Sequence, residues 1–256
     1  MLAWHFLAED KRLGYGDWRL VEVGKTLECE GEPALCSNGM HGSVRLIDAL
    51  RYASSPVVCR VEIEGDIVEG DDKLCGRRRT VLWMLDATRI LHEFACQCTE
   101  DALALVEQPD ARSVEGIAAK RKWLRGEITD KELDAAALAA WGAALDAASW
   151  SAARASALSA QAAARAVAQD AASAARSAAW DAQQTASEAA RDAAWSALRV
   201  ASRGARSASW DPQAVSEAAK QDAAEAVAGA ARDAARDKQN ERLTAMVMEA
   251  HEKEGK

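Results

Sequence analysis

Between Ala135 and Ala235 nearly half of all residues are alanine, and neither glycine nor proline interrupts the chain from Ala143 to Arg203. Alanine enters a helix without losing side-chain entropy, so this stretch is committed to helix. Drawn as one rod, the uninterrupted span would exceed ~85 Å at ~1.5 Å per residue, with little apolar surface to bury. The reading is therefore a set of helices packed through small residues, in a hairpin or bundle. Thr185-Ala-Ser-Glu188 matches a capping box, Asp211-Pro212 puts a cap residue before a first-turn proline, and Asp170 is a further break point. Ala171, Ala175, Ala178, Ala182, Ala186, Ala189, Ala193 and Ala197 fall at spacings of three and four. Such a stripe suits nearly straight or slightly right-handed, coiled-coil-like packing through close helix axes. Trp180, Trp195 and Trp210 recur at intervals of fifteen and mark a candidate binding face.

Upstream of this region, Ser113 is placed to cap a helix that Gly126 ends, and Thr129-Asp-Lys-Glu132 is a capping box for the next one. Downstream, Leu243, Met246 and Val247 give the last helix an apolar face, and the charged tail 251–256 is expected to fray, with His251 solvated.

The first 110 residues have another character. Short runs (Leu2–Leu7, Trp18–Val23, Val57–Ile63, Thr80–Leu85) are punctuated by glycines, and Cys59, Val61 and Ile63 alternate with Arg60, Glu62 and Glu64. That alternation is a strand with one wet face. Helices are predicted over Val44–Tyr52, capped by Ser43, and over Ala87–Val106, capped by Asp86. The fold class is an α+β domain, a small antiparallel or mixed sheet with two helices, followed by an all-α alanine-rich region. The boundaries are read as 1–110, 111–250 and the tail 251–256.

Charge divides along the same line. Residues 1–110 carry 12 Lys/Arg against 20 Asp/Glu, and the rest of the chain balances to zero. An acidic domain argues against nucleic acid as a partner, since that role needs phosphate neutralisation. No apolar run approaches the ~18 residues of a spanning helix. The start lacks the order of a secretory signal, so a cytoplasmic protein with reduced thiols is expected, in a host cytosol if the gene is carried by a phage.

Cys29, Cys36, Cys59, Cys75, Cys96 and Cys98 include no Cys-x-x-Cys pair, and His92 with Cys96 has no second pair at zinc spacing. No metal is expected. No Walker, dinucleotide or Gly-x-Ser-x-Gly signature is present, and no cofactor is implied. Arg77-Arg78-Arg79 is the one basic run of the acidic domain. It is a candidate phosphate contact, or else a solvated hairpin pairing with nearby acids. His41, in a Gly39-Met-His-Gly42 turn, is a candidate ligand-gripping or acid–base group, and His5 lies between Trp4 and Phe6.

Val23-Gly-Lys-Thr26, Cys36-Ser-Asn-Gly-Met-His41 and Val61-Glu-Ile-Glu-Gly-Asp66, with a helix before the last, resemble an uncharacterised domain of phage and prophage proteins. Met40 departs from that family's usual Phe or Leu. The resemblance implies a phage-derived context and no chemistry. The domain is also remotely similar to the ADP-ribosyltransferase plan, which implies His5 on the first strand, His41 in the turn before a helix, and Glu62, Glu64 or Glu69 on a later strand. Only under that likeness is NAD a cofactor. Trp123-Leu-Arg-Gly-Glu-Ile-Thr-Asp-Lys-Glu-Leu133 and the helical region after it resemble proteins described as immunity proteins.

The leading expectation is a non-enzymatic phage or prophage accessory protein. Its helical half would be a platform for a host or phage protein or for self-association, and its first domain would carry partner specificity, as in an immunity-like or anti-defence protein. The rivals are an ADP-ribosyltransferase-like enzyme using His5, His41 and Glu62, and a virion structural component.

Overall fold

The computed structural model describes residues 1–14, 16–149, 154–167, 171–207 and 217–255. The chain divides into two compact units. One holds Met1–Ala95, Ala168–Arg176 and Gln239–Lys256, and the other holds Cys96–Val167 and Ser177–Lys238. The units are thus interleaved in sequence rather than split once near residue 110.

The first unit runs β1 (Leu2–Phe6), β2 (Thr26–Glu28), β3 (Met40–Gly42), α1 (Leu46–Leu50), β4 (Val57–Glu64), β5 (Val68–Glu69), β6 (Leu74–Gly76) and β7 (Arg78–Asp86), then the start of α2 (Thr88–Leu103). Its strands form two antiparallel sheets, β1-β4-β7-β2 and β3-β6-β5. Inward alternation builds one core from Ala3, Leu7, Val21, Leu27, Met40, Cys59, Val61, Ile63, Leu74 and Val81. Trp18–Val23, one of the short runs of the sequence, makes only isolated bridges, Arg12 to Leu20 and Val23 to Val81. Trp18, Leu20 and Val23 are exposed, and Val21 alone of the run's apolar residues enters the core.

Helix α1 is shorter than the predicted Val44–Tyr52. Ser43 is not its cap, because its backbone exchanges two hydrogen bonds with Trp4 at 2.7 and 2.9 Å and so extends the β-ladder. Asp86 does cap α2, accepting the Thr88 N–H at 2.9 Å.

The second unit is helical. It takes in the end of α2, α3 (Ala111–Leu124), α4 (Asp130–Ser149), α5 (Arg154–Val167), and most of α6 (Ala171–Ser207) and α7 (Glu217–Glu254). Asp110, not Ser113, caps α3, accepting from the Arg112 N–H at 2.8 Å, and Ser113 lies buried inside the helix. The capping box of α4 forms in both directions: Thr129 N–H donates to the Glu132 carboxylate at 2.8 Å, and Glu132 N–H donates to Thr129 Oγ1 at 3.3 Å. Trp123 Nε1 donates to Asp130 at 2.7 Å and fixes the α3–α4 corner.

Ala140, Ala144, Ala160 and Ala164 form the contact between α4 and α5. A Cβ added at Gly116 of α3 would stand 3.3 Å from the Ala140 Cβ and 3.4 Å from Val167 Cγ2. Within α6, Thr185-Ala-Ser-Glu188 is not a break. The Thr185 hydroxyl turns back to the Asp181 carbonyl at 2.8 Å, one helical turn earlier, and the helix continues. Ala171, Ala175, Ala178 and Ala182 of the stripe are buried, whereas Ala193 and Ala197 are exposed. The break points proposed at Asp170 and Asp211-Pro212 lie outside the described residues.

The last turns of α7 belong to the first unit, where Leu243 and Val247 are fully buried and Asn240 accepts the Ile47 N–H at 3.2 Å. His251 stacks on Trp83 with ring centroids 4.0 Å apart, in place of the frayed, solvated tail read from the sequence.

The alanine packing predicts a graded response at Gly116. Gly116→Ala gains up to ~1 kcal/mol of helix propensity against a tight contact and should be near neutral. Gly116→Leu should destabilise the chain by ~1–3 kcal/mol through overpacking, read by chemical denaturation.

Candidate functional site

The register of the first sheet selects which side chains share its inner face. His5 pairs with Cys59, Ala3 with Val61, Val61 with Val81, and Ile63 with Arg79, whose other neighbour is Leu27. A guanidinium therefore stands in an apolar row, between two buried hydrophobic residues. Arg79 is 3 % exposed. Its Nη1 donates to the His41 carbonyl of β3 at 2.8 Å, and its Nη2 is buried without a hydrogen-bond partner among the described residues. Burial lowers its pKa to about 10, so it stays charged at neutral pH.

The groups around it respond to that charge. Burial holds the His5 pKa well below the usual histidine value, and the charges of Arg79 and His41 push it the same way. Burial also lowers His41, opposed by a backbone hydrogen bond with Gly39 and reinforced by Lys73 and Arg79. His41 Nε2 accepts the Cys36 N–H at 3.3 Å, which fits a neutral ring with its proton on Nδ1. Burial drives the Cys59 thiol up to about 12, so it is an inert core thiol rather than a nucleophile. At the rim, Lys73 lies over the Tyr52 ring at 4.6 Å, and the Tyr52 hydroxyl and Arg51 both bond Asp72 at 2.8 Å.

Two of the three groups implied by the ADP-ribosyltransferase likeness, His5 and His41, thus lie within electrostatic reach of each other. The third does not join them. Glu62 is three residues beyond Cys59 in the same strand and sits on the opposite pleat, paired with Leu2 and Thr80. Glu64 and Glu69 are exposed. The outer pleat that Glu62 shares carries an aromatic stack: Trp4 meets Trp83 edge-on at 5.7 Å, and Arg60 lies 4.5 Å over the Trp4 ring.

The basic run does not act as a unit. Arg77 pairs with Asp66 at 2.8 Å and donates to the Gly31 carbonyl, Arg78 faces its cross-strand partner Glu64 at 3.6 Å, and Arg79 is buried. The strand pleat turns alternate residues to opposite sides, so the expected solvated hairpin holds for the first two arginines only. Sequence reasoning missed this division. The signal for it lay in Arg79-Thr-Val81, where Arg79 sits in phase with the inward Val81.

In the helical unit Trp180 is exposed and Trp195 half-buried, while Trp210 lies outside the described residues. A more continuous apolar feature was overlooked. Leu138, Trp141 and Leu145 of α4 are 74 %, 42 % and 68 % exposed. Their spacing of three and four puts them on one ridge of the helix. The signal was readable as a second apolar stripe beside the one through Leu133, Ala140 and Ala144. A cleft lined by Val106, Pro109, Asp110, Asp146, Ser156 and Ser159 offers no free carboxylate, because Arg112 engages Asp110 at 2.7 Å and Asp146 at 2.9 Å. No cluster of His, Cys, Asp and Glu able to hold a metal occurs among the described residues. No helix among them is long and apolar enough to cross a membrane.

Residues 1–93 match the model of a family described as a domain of unknown function (DUF7666), an uncharacterised family. No curated protein and no solved structure matches the chain.

The depressed histidines give a pH dependence with a definite sign. In the unfolded chain His5 takes up a proton near pH 6.5, whereas in the folded unit it resists until well below that. Between those values the unfolded state binds more protons, so this contribution to stability is full above pH ~6.5 and is lost as pH falls. Thermal unfolding between pH 7.5 and 5 should show a steeper loss for the natural chain than for His5→Gln.

Proposed function

We propose that this chain is a non-enzymatic binding protein: its helical unit supplies a protein-interaction or oligomerisation surface, and its first unit carries specificity. The observation that supports this reading best is the exposed Leu138–Trp141–Leu145 ridge. Large apolar side chains aligned on a helix face are the usual anchors of helix-mediated recognition. The ridge is accompanied by the small residues Ala135, Ala139 and Gly142, which let a partner helix approach closely. Trp180 offers a further exposed aromatic group. Each of these positions is prepaid in entropy by a rigid alanine-rich helix, so little ordering is lost on binding.

The context we infer is that of a phage or prophage accessory protein acting in a host cytosol, in an immunity-like or anti-defence role or as a virion component. This rests on the resemblance of the first domain to phage and prophage proteins, since the family matched by residues 1–93 is itself uncharacterised. The partner is a host or phage protein or a second copy of the chain.

The ADP-ribosyltransferase-like enzyme with NAD is a second reading, favoured by the proximity of His5 and His41. It stands lower because its carboxylate is on the other side of the sheet. Both histidines are held neutral, which suits binding better than proton donation at neutral pH.

The test compares full-length protein with the triple variant Leu138→Ser/Trp141→Ser/Leu145→Ser. All three residues are exposed, so the variant should keep its melting temperature. Sedimentation velocity and cross-linked pull-down should show a self-complex or a defined partner for the natural chain, at least tenfold weakened in the variant. A partner held equally by both, or no complex together with NAD⁺-dependent thermal stabilisation, would overturn the reading.

A further inference from the structure

The charges around Arg79 are disposed against the grain of the domain that contains them. Residues 1–110 hold 20 acidic against 12 basic side chains. Yet among the described residues no carboxylate bonds His5, His41 or Arg79, and Asp72, beside Lys73 at the rim, is held by Tyr52 and Arg51. Natural proteins almost always pair a buried charge, and a buried donor left unmade costs its desolvation. Here the guanidinium spends Nη1 on the His41 carbonyl and leaves Nη2 buried and unmatched. The four groups also form a sequence in depth. Lys73 is at the rim, His41 is half-buried and feels both Lys73 and Arg79, and Arg79 is buried.

We propose that Arg79, held by the His41 carbonyl, forms with His5 a binding site for a phosphate-type oxyanion, either free phosphate or the terminal phosphate of an ester. This goes beyond the interaction role of the helical unit and does not rest on it. The chemistry follows from the donors. Arg79 Nη2 supplies a charge-assisted hydrogen bond to one oxygen, in a setting too dry for water to compete well. The His5 ring supplies a further donor once an anion arrives, while His41, whose ring nitrogens are engaged by the Gly39 backbone and the Cys36 N–H, holds the guanidinium in place through its carbonyl. Lys73 draws the anion inward from the surface. The oxyanion takes the place of the missing carboxylate, and the surrounding acids of the domain keep larger polyanions such as nucleic acid away.

The two alternatives for Arg79 make opposite predictions. A structural brace between β3 and β7 stabilises the empty protein, so its removal should lower stability. A cation held ready for a ligand costs the empty protein stability, so an apolar replacement of similar length should leave it unchanged or raise it. The experiment uses the full-length protein in a phosphate-free buffer, titrated with inorganic phosphate and separately with AMP, with sodium chloride at matched ionic strength as the control. Thermal unfolding and calorimetry are the readouts.

The expected result is a saturable rise in melting temperature with phosphate and none with chloride. Arg79→Met should bind at least tenfold more weakly, with a melting temperature in phosphate-free buffer no lower than that of the natural chain. AMP binding more tightly than phosphate would support the site and assign it to phosphate esters, and phosphate binding without AMP would support it as a free-phosphate site. No saturable response to either ligand overturns the proposal. So does an Arg79→Met protein that responds like the natural one or melts lower without phosphate. Should Arg79→Met fail to fold, His5→Leu decides, since it leaves Arg79 and the carbonyl it uses in place: several-fold weaker phosphate binding supports the site, and unchanged binding overturns it.

Discussion

A hydrogen bond of 2.8 Å from Arg79 to the His41 carbonyl joins the two sheets of the first unit, and most of what is unusual there follows from it. For the bond to form, a guanidinium must lie in a row with Leu27 and Ile63, away from water. Burial holds His5 and His41 towards their neutral forms and the charge the guanidinium brings inside pushes them the same way, while on the Cys59 thiol that charge acts against a larger burial effect. The sheet pleat does the rest by carrying Glu62, Glu64 and Arg78 to the other side. An acidic domain thereby keeps a cation on the inner side of this sheet.

The helical unit answers another constraint. Alanine gives helices freely but buries little area per residue, so it stabilises a fold only where axes come close together. Gly116 against Ala140 and Val167, and the Ala140–Ala144–Ala160–Ala164 contact, are places where that closeness is achieved. The larger apolar side chains of α4 are then not needed inside. Leu133 is buried, but Leu138, Trp141 and Leu145 are left facing solvent. A helix whose interior contact is made by alanine is free to present its leucines and tryptophan elsewhere, which is the physical basis for reading this unit as a binding surface.

Much of the architecture was legible in the residues. The alternation at Cys59-Arg-Val-Glu-Ile63, the Asp86 cap and the Thr129–Glu132 capping box each express a local rule, and each is present in the structure. The differences come from contacts that compete with the local pattern, one within the same helix and two with distant residues. Thr185-Ala-Ser-Glu188 satisfies the cap pattern, yet a threonine within a packed helix satisfies its hydroxyl on the preceding turn instead. Ser43, a cap by its position before the helix, is a ladder residue opposite Trp4. His251 finds Trp83, a ring 168 positions away that no local pattern could pair with it. For the site, His5 and His41 could be singled out by type and setting. The role of Arg79 was hidden because a run of three arginines reads as one solvated patch until a strand register divides it.

The oxyanion site depends most on Arg79 having no acidic partner among the described residues and on an oxyanion taking that place. Anomalous diffraction from crystals of the full-length protein soaked in selenate, a phosphate-shaped anion with its own scattering edge, addresses both together. The account predicts a selenium peak within hydrogen-bond distance of Arg79 Nη2, near the His5 and His41 rings, that disappears in Arg79→Met. A carboxylate seated on Nη2, with no selenium peak beside it, would contradict it.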